Sequence, residues 1–238
     1  MKTRLISILL IAMLIMTVLS GCSEAEDIKD NTIMTKSITI KGVEYSTDLT
    51  QLTLVNMELT SADIEPLKYM INLTELSLVN SQITDISVLS DLKNLTLLAL
   101  SYNQINDISA LRSLTNLTGL ILEDNQINDI SALSNLTNLS WLRLDSNEIS
   151  DISALQDLKN LTRLLYLGHN EISDISVLSG LTNLAELYLN DNQISDISAL
   201  SDLTNLKTLY LGGNPLGEEQ ISELQKALPN CRISTSPP

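Results

Sequence analysis

The sequence predicts an α/β repeat solenoid: a curved rod of about eight coils, with parallel strands on the concave face, an irregular or 3₁₀ convex side and a helical cap at the C-terminal end. Three observations predict it. The stretch LALSYNQINDISALRSLTNLT, Leu98 to Thr118, returns every 22 residues almost to the end of the chain. Within each copy a spacing of two, as from Leu98 to Leu100, gives way to steps of three through Ile105, Ile108, Leu111, Leu114 and Leu117. No helix or long strand has that pattern; a short strand, a tight corner and a 3₁₀ return arm do. The third observation is one polar column, Asn103, Asn125, Asn147, Asn170, Asn192 and Asn214, three residues past the second strand leucine of each copy. A single coil cannot bury its own leucines, so neighbouring coils must stack to make a core.

The elements follow in order. Lys2 and Arg4 precede an apolar run from Leu5 to Leu19, followed by Ser20, Gly21 and Cys22. About 15 apolar residues are short for a membrane span of about 20, so residues 1–21 are expected to be a signal peptide. Leu-Ser-Gly-Cys resembles a bacterial lipobox, which implies lipidation at Cys22. Residues 22–36 are polar and acidic and read as a flexible tether reaching on the order of 20 Å. Residues 37–50 alternate around Gly42 and are expected to form an N-terminal cap over the first coil. The repeats occupy 51–217. Met57 and Ser81 stand in the asparagine column of the first two copies, and the step from Asn147 to Asn170 is 23 residues, which predicts a bulge at Leu164 or Leu165. Pro215 and Gly217 then interrupt the pattern. Residues 218–233 are expected to be the capping helix with Cys231 and Ile233 against the last coil, and 234–238 a disordered tail.

Without residues 1–21 the chain carries 12 basic and 29 acidic residues, a formal charge of −17. Such acidity argues against nucleic acid and against an electrostatic hold on anionic lipid, leaving membrane attachment to the lipid on Cys22. With Cys22 modified, Cys231 has no partner for an internal disulfide and reads as a small buried hydrophobe.

The motif LxLxxNxIxDISxLxxLxxLxx, running from Leu52 to Leu211, resembles the leucine-rich repeat family, specifically its 22-residue bacterial surface type, the internalin-like group. The resemblance implies a curved rod used for binding rather than catalysis. The chain departs from the group where proline often follows the DIS serine, having Val88, Ala110, Ala132, Ala154, Val177 and Ala199, with Pro66 the nearest echo.

Nothing in the sequence assembles a catalytic centre, a metal site or a cofactor site. The single histidine, His169, and Cys231 lie more than two coils apart. The column Asp85, Asp107, Asp129, Asp151, Asp174 and Asp196 could be imagined as a calcium ladder, but each Asp precedes a Ser by two residues and fits a cap on the turn of its own coil. The recurring NLT triplets fit glycosylation acceptors formally and are better read as repeat structure.

Candidate binding residues lie on the concave face. The column beside the strand leucines reads Thr53, Ser77, Ala99, Ile121, Arg143, Tyr166, Tyr188 and Tyr210 and is expected to face solvent. Adjacent strands are about 4.8 Å apart, so the three tyrosines should form a ladder, with Arg143 and an exposed Trp141 continuing it. Tyr, Trp and Arg are enriched at binding hot spots, because they bring rigid area with a polar tip. Glu186, Asp145, Glu123, Asn190 and Asp191 border the patch. The expectation is an exported, outward-facing, lipid-anchored monomer on the bacterial membrane that binds protein or peptide. The alternative is a glycan or cell-wall binder, since stacked aromatics also suit sugar rings.

Overall fold

The computed structural model describes residues 36–236. The signal peptide, Cys22 and all of the tether but Lys36 lie outside the described residues. From Lys36 onward the chain forms one compact unit.

It opens with an antiparallel hairpin, β1 (Ser37–Ile40) and β2 (Val43–Ser46). The turn between them places Lys41 and Gly42 at φ 49° and 79°. A tight two-residue hairpin needs two positive φ angles, and Gly42 supplies one without a Cβ penalty. Ile38 and Ile40 are buried in the common core.

The repeats then lay down one three-residue strand per coil: β3 (Gln51–Thr53), β4 (Glu75–Ser77), β5 (Leu97–Ala99), β6 (Gly119–Ile121), β7 (Trp141–Arg143), β8 (Leu164–Tyr166), β9 (Glu186–Tyr188) and β10 (Thr208–Tyr210). They pair in parallel and in sequence order, with Leu52, Leu76, Leu98, Leu120, Leu142, Leu165, Leu187 and Leu209 in one register row. These leucines point inward because side chains alternate along a strand, and a slip of one residue would turn every one outward. Each return arm carries a 3₁₀ turn, beginning at Glu65, Ser87, Ser109, Ser131, Ser153, Ser176 and Ser198. The core is one continuous column of leucine and isoleucine through all the coils.

The asparagine column holds the corners together. Asn147 accepts the Ile127 N–H through Oδ1 (3.0 Å) and donates through Nδ2 to the Leu122 and Leu144 carbonyls (3.0 Å each). Asn103, Asn125, Asn170, Asn192 and Asn214 repeat this, each accepting from one coil and donating to two carbonyls. The corner backbone left free by each short strand is thereby paired. Where the column is broken, Ser81 Oγ is buried without a hydrogen-bond partner.

The aspartate column caps. Oδ1 of Asp85, Asp107, Asp129, Asp151, Asp174 and Asp196 accepts the N–H of the serine two residues on, each at 2.8 Å. That bond and the serine hydroxyl hold the carboxyls of Asp107, Asp129, Asp174 and Asp196 below the usual carboxylate range.

The asparagines of the NLT triplets at 94, 116 and 160, and Asn138 and Asn205 at the same place in their coils, are structural. Asn94, Asn116, Asn138, Asn160 and Asn205 each donate to a carbonyl of the preceding coil at 2.8–2.9 Å. Thr74, Thr96 and Thr118 do the same one step before the strand, from Oγ1 to the Thr50, Thr74 and Thr96 carbonyls, and Ser140 continues the row to Thr118.

Two expectations need correction. The extra residue of the 23-residue step makes no bulge at Leu164 or Leu165, which pair squarely with Trp141 and Leu142. It is absorbed at strand entry: Arg163 N–H reaches the Ser140 carbonyl, and where elsewhere one carbonyl accepts two N–H groups of the next coil, here Thr162 and Arg163 accept one each, from Ala185 and Glu186. Inside the strand the extra residue would turn leucines out of the core; at entry it costs a loop adjustment. At the C-terminal end the helix covers Glu218–Ala227, and a ninth parallel strand, β11 (Arg232–Ser234), follows it beside β10. That strand runs one residue into the stretch expected as loose tail, because Leu209 and Leu211 would otherwise meet water at the open end. Cys231 is free and buried, and burial pushes its thiol pKa up.

Candidate functional site on the concave face

Strands β7 to β10 carry Arg143, Tyr166, Tyr188 and Tyr210 at the same register position, so each side chain emerges directly beside the next. Strand spacing of about 4.8 Å leaves no room for a further side chain between neighbouring rings, and the rings lean together and stack rather than splay. Tyr166 and Tyr188 lie with centroids 3.8 Å apart and planes 14° off parallel; Tyr188 and Tyr210 lie at 4.7 Å and 13°. The Arg143 guanidinium covers the other end, 4.6 Å from the Tyr166 centroid. Arg143, Tyr166, Tyr188 and Tyr210 thus form one continuous column, as the spacing predicts.

Carboxylates orient its charged end. Arg143 Nη2 meets Glu123 Oε2 at 3.0 Å and Asp145 Oδ2 at 3.2 Å, and Nε reaches Asp145 Oδ1 at 3.3 Å. Burial opposes the guanidinium's charge, yet Asp145 and Glu123 leave its pKa raised. Glu123 also accepts the Tyr102 hydroxyl at 2.8 Å. At the other end Glu186 lies 3.4 Å from the Tyr188 hydroxyl. Burial and the neighbouring tyrosine push the Tyr166 hydroxyl far above its ordinary pKa, and burial also raises Tyr188.

Trp141 is not the next member of this column. It lies one position earlier in β7, half-buried rather than exposed, and its indole crosses Gly119: a Cβ there would run into Cε2 and Cζ2. Room for the indole exists only because position 119 has no side chain. Thr53 is exposed as expected, but the next three members of the column do not face solvent, since Ser77, Ala99 and Ile121 are buried. These short and apolar side chains are closed off, and the half-buried aromatic part is the more accessible one.

Three features had little signal in the sequence. Tyr102 stands in the row of corner residues with left-handed backbone, φ 57°, outside any strand pattern. Gly119 shows only as a missing side chain in a concave column. On the rim, His169 Nδ1 lies 3.5 Å from Asp191 Oδ2, with Asn190 Nδ2 3.3 Å from His169 Nε2. Among the described residues no group of three or more His, Cys, Asp or Glu side chains converges to hold a metal ion.

Comparison with known proteins agrees with this architecture. Residues 71–113, 93–135, 137–180, 163–201 and 182–226 match the family described as Leucine Rich repeats (2 copies). Comparison with curated proteins found no match. Among solved structures the chain is similar to an internalin C2 from Listeria monocytogenes, with 34% identity over 80% of this chain and 84% of that one and a TM-score of 0.74. It is also similar to a leucine-rich repeat protein from Leptospira interrogans, with 25% identity over 71% of this chain and 50% of that one and a TM-score of 0.62. The leucine-rich repeat ectodomain of a plant membrane receptor kinase from Arabidopsis thaliana, solved with CASPARIAN STRIP INTEGRITY FACTOR 2, shares the fold alone: 24% identity over 80% of this chain and 24% of that one, TM-score 0.66.

Proposed function

The chain belongs to the leucine-rich repeat family and is internalin-like, and from that premise we propose that it is an exported bacterial lipoprotein, anchored through Cys22, whose concave face binds a protein or peptide. Rods of this family commonly mediate protein–protein binding and are typically not enzymes. Among the described residues no helix is long and apolar enough to cross a membrane. The binding residues are Arg143, Tyr166, Tyr188 and Tyr210 as the central column, with Trp141 beside it and Glu186 and Asp145 at its borders. The protein acts as a monomer.

The observation that carries the reading is the closed stack. Sugar recognition by aromatics needs an open ring face. Here the faces between Tyr166, Tyr188 and Tyr210 are filled by one another, and the outer face of Tyr166 by Arg143. Apart from the outer face of Tyr210, what the column presents is ring edges and hydroxyls, bordered by Glu186, while Asp145 and Glu123 are taken up by Arg143. That surface suits peptide groups and basic side chains, and being rigid it loses little entropy on binding.

The test is photo-crosslinking in cells from position 188 of the lipidated protein, with core position 108 as control. A discrete protein adduct from 188 alone is the expected result. Retention on purified cell wall that Tyr188→Ala abolishes, with no protein adduct, would replace this reading with a glycan-binding one.

A further inference from the structure

The large apolar side chains most exposed among the described residues sit together in the sequence, at one end of the rod: Val43 (48%), Leu49 (37%), Tyr69 (51%) and Ile71 (46%). Elsewhere among the described residues side chains of these types are buried or half-buried. Val43 lies at the hairpin turn, Leu49 just past β2, and Tyr69 and Ile71 where the first 3₁₀ turn ends.

Hydrogen bonds tie these segments to the point where the chain enters the fold. The Lys36 carbonyl accepts the Thr47 N–H at 3.1 Å, and the Thr47 carbonyl accepts Asn72 Nδ2 at 3.5 Å. The Thr50 carbonyl accepts the Thr74 N–H at 2.7 Å, holding the Leu49 segment beside the stretch that follows Ile71. Lys68 stands over the Tyr69 ring, Nζ 5.4 Å from its centroid, while the Lys41 ammonium is paired with Asp63 at 3.1 Å.

We infer that this face lies on the lipid bilayer beside the anchor, its apolar side chains entering the boundary between headgroups and acyl chains. The inference rests on the proposed lipidation of Cys22. Cys22 precedes Lys36 by 14 residues, and a chain of that length spans on the order of 20 Å. Attached there, the face meets the membrane at an effective concentration on the order of millimolar, so a surface too weak to bind vesicles alone is occupied once the lipid is in place. A tyrosine with a neighbouring lysine suits that boundary, the ring sitting at headgroup depth and the ammonium reaching water. Lys41 pairs with Asp63 and Lys68 with Glu65, while Glu44 and Asp48 stand exposed beside Val43 and Leu49, so the hold on the bilayer is apolar rather than electrostatic. The concave tyrosines then stand away from the bilayer, open to a partner.

The experiment uses the mature lipidated protein reconstituted in phosphatidylcholine–phosphatidylglycerol vesicles, with mass spectrometry establishing the lipid on Cys22 beforehand. Tyr69→Trp places a reporter in the face, and the native Trp141 is the internal control. Quenching of the reporter by lipids spin-labelled high in the acyl chain, by about twofold and absent from Trp141, is expected. Ile71→Ser with Val43→Ser, both exposed and so tolerated by the fold, should remove that quenching while the protein still sediments with vesicles. Sedimenting protein with an unquenched reporter overturns the inference and leaves the anchor standing. Dimerisation without vesicles that Ile71→Ser abolishes overturns it in favour of a second copy of the chain. A Cys22 that carries no lipid overturns the anchoring proposal and this inference with it.

Discussion

At the scale of single residues, stability rests on a few polar side chains repeated through an apolar column. Asn147→Ala leaves an N–H and two carbonyls at a coil corner without their partner, and is expected to cost about 1–3 kcal/mol. A shift in the urea midpoint at unchanged slope checks it. Ser81→Asn supplies the missing member of the column where Ser81 Oγ is unpaired, and should stabilise by about 1 kcal/mol in the same assay. Gly119→Ala drives a methyl into the indole of Trp141, so the tryptophan emission should move red as the ring is displaced, with a loss of about 1–3 kcal/mol. Titration has signs of its own. The capping carboxyls are lowered in the folded state, so their contribution is complete above about pH 4 and disappears as pH falls through their folded values. Asp63, held by Thr60 and Lys41, reaches about 2, which sets the bottom of that window. The Tyr166 and Tyr188 hydroxyls are raised, so the stability they contribute is intact below about pH 10 and is lost as pH climbs through their folded values. Thermal melts at pH 3, 7 and 11 should therefore be highest at 7, and Tyr166→Phe should flatten the alkaline arm.

At the scale of elements, a solenoid has a problem a globule lacks: its two end coils have a neighbour on one side only. The hairpin at one end inserts Ile38 and Ile40 into the core, and the helix Glu218–Ala227 with β11 covers the other, burying Leu224, Leu228 and Cys231. Truncation after Gly217 removes the helix and β11 and uncovers Leu206, Leu209 and Leu211. The expected result is an aggregating protein with a melting temperature lowered by several degrees, read by calorimetry and light scattering. Deletion of Thr162 is a milder probe. It restores the 22-residue step at a loop entry, so stability should change by less than about 1 kcal/mol while β8 keeps its register.

At the scale of the whole molecule, the acidic surface and the aromatic column act together. In the proposed function the column supplies contact area, Glu186 faces basic groups while Asp145 and Glu123 hold Arg143 in place, and the charge of the chain steers a basic partner in. Association with a basic protein partner should slow as salt is raised, with dissociation much less affected, whereas Tyr188→Ala should speed dissociation; surface plasmon resonance separates the two. Folding rests on no internal disulfide among the described residues, because Cys231 is free. A reductant should leave the melting temperature unchanged.

The sequence alone determined the coil, its period, the row of inward leucines, the asparagine and aspartate columns and the stacking of three tyrosines. The physical reason is translation: in a repeat, the neighbour of each position is the same position one coil away, so spacing in the chain is contact in space. What breaks the translation was left to the tertiary structure. The extra residue before β8 could have been accommodated in several places, and the need to keep Leu165 inward put it at strand entry. Trp141 looked like an exposed member of the ladder, yet it lies over Gly119, its register partner one coil back, where the missing side chain leaves room. Tyr102 and Glu123 meet because the left-handed corner, which recurs in every coil, carries at this one coil a tyrosine long enough to reach the carboxylate of the next. Whether the tyrosines offer faces or edges is also a matter of ring orientation, which only packing between neighbours decides, and that orientation favours a peptide over a sugar.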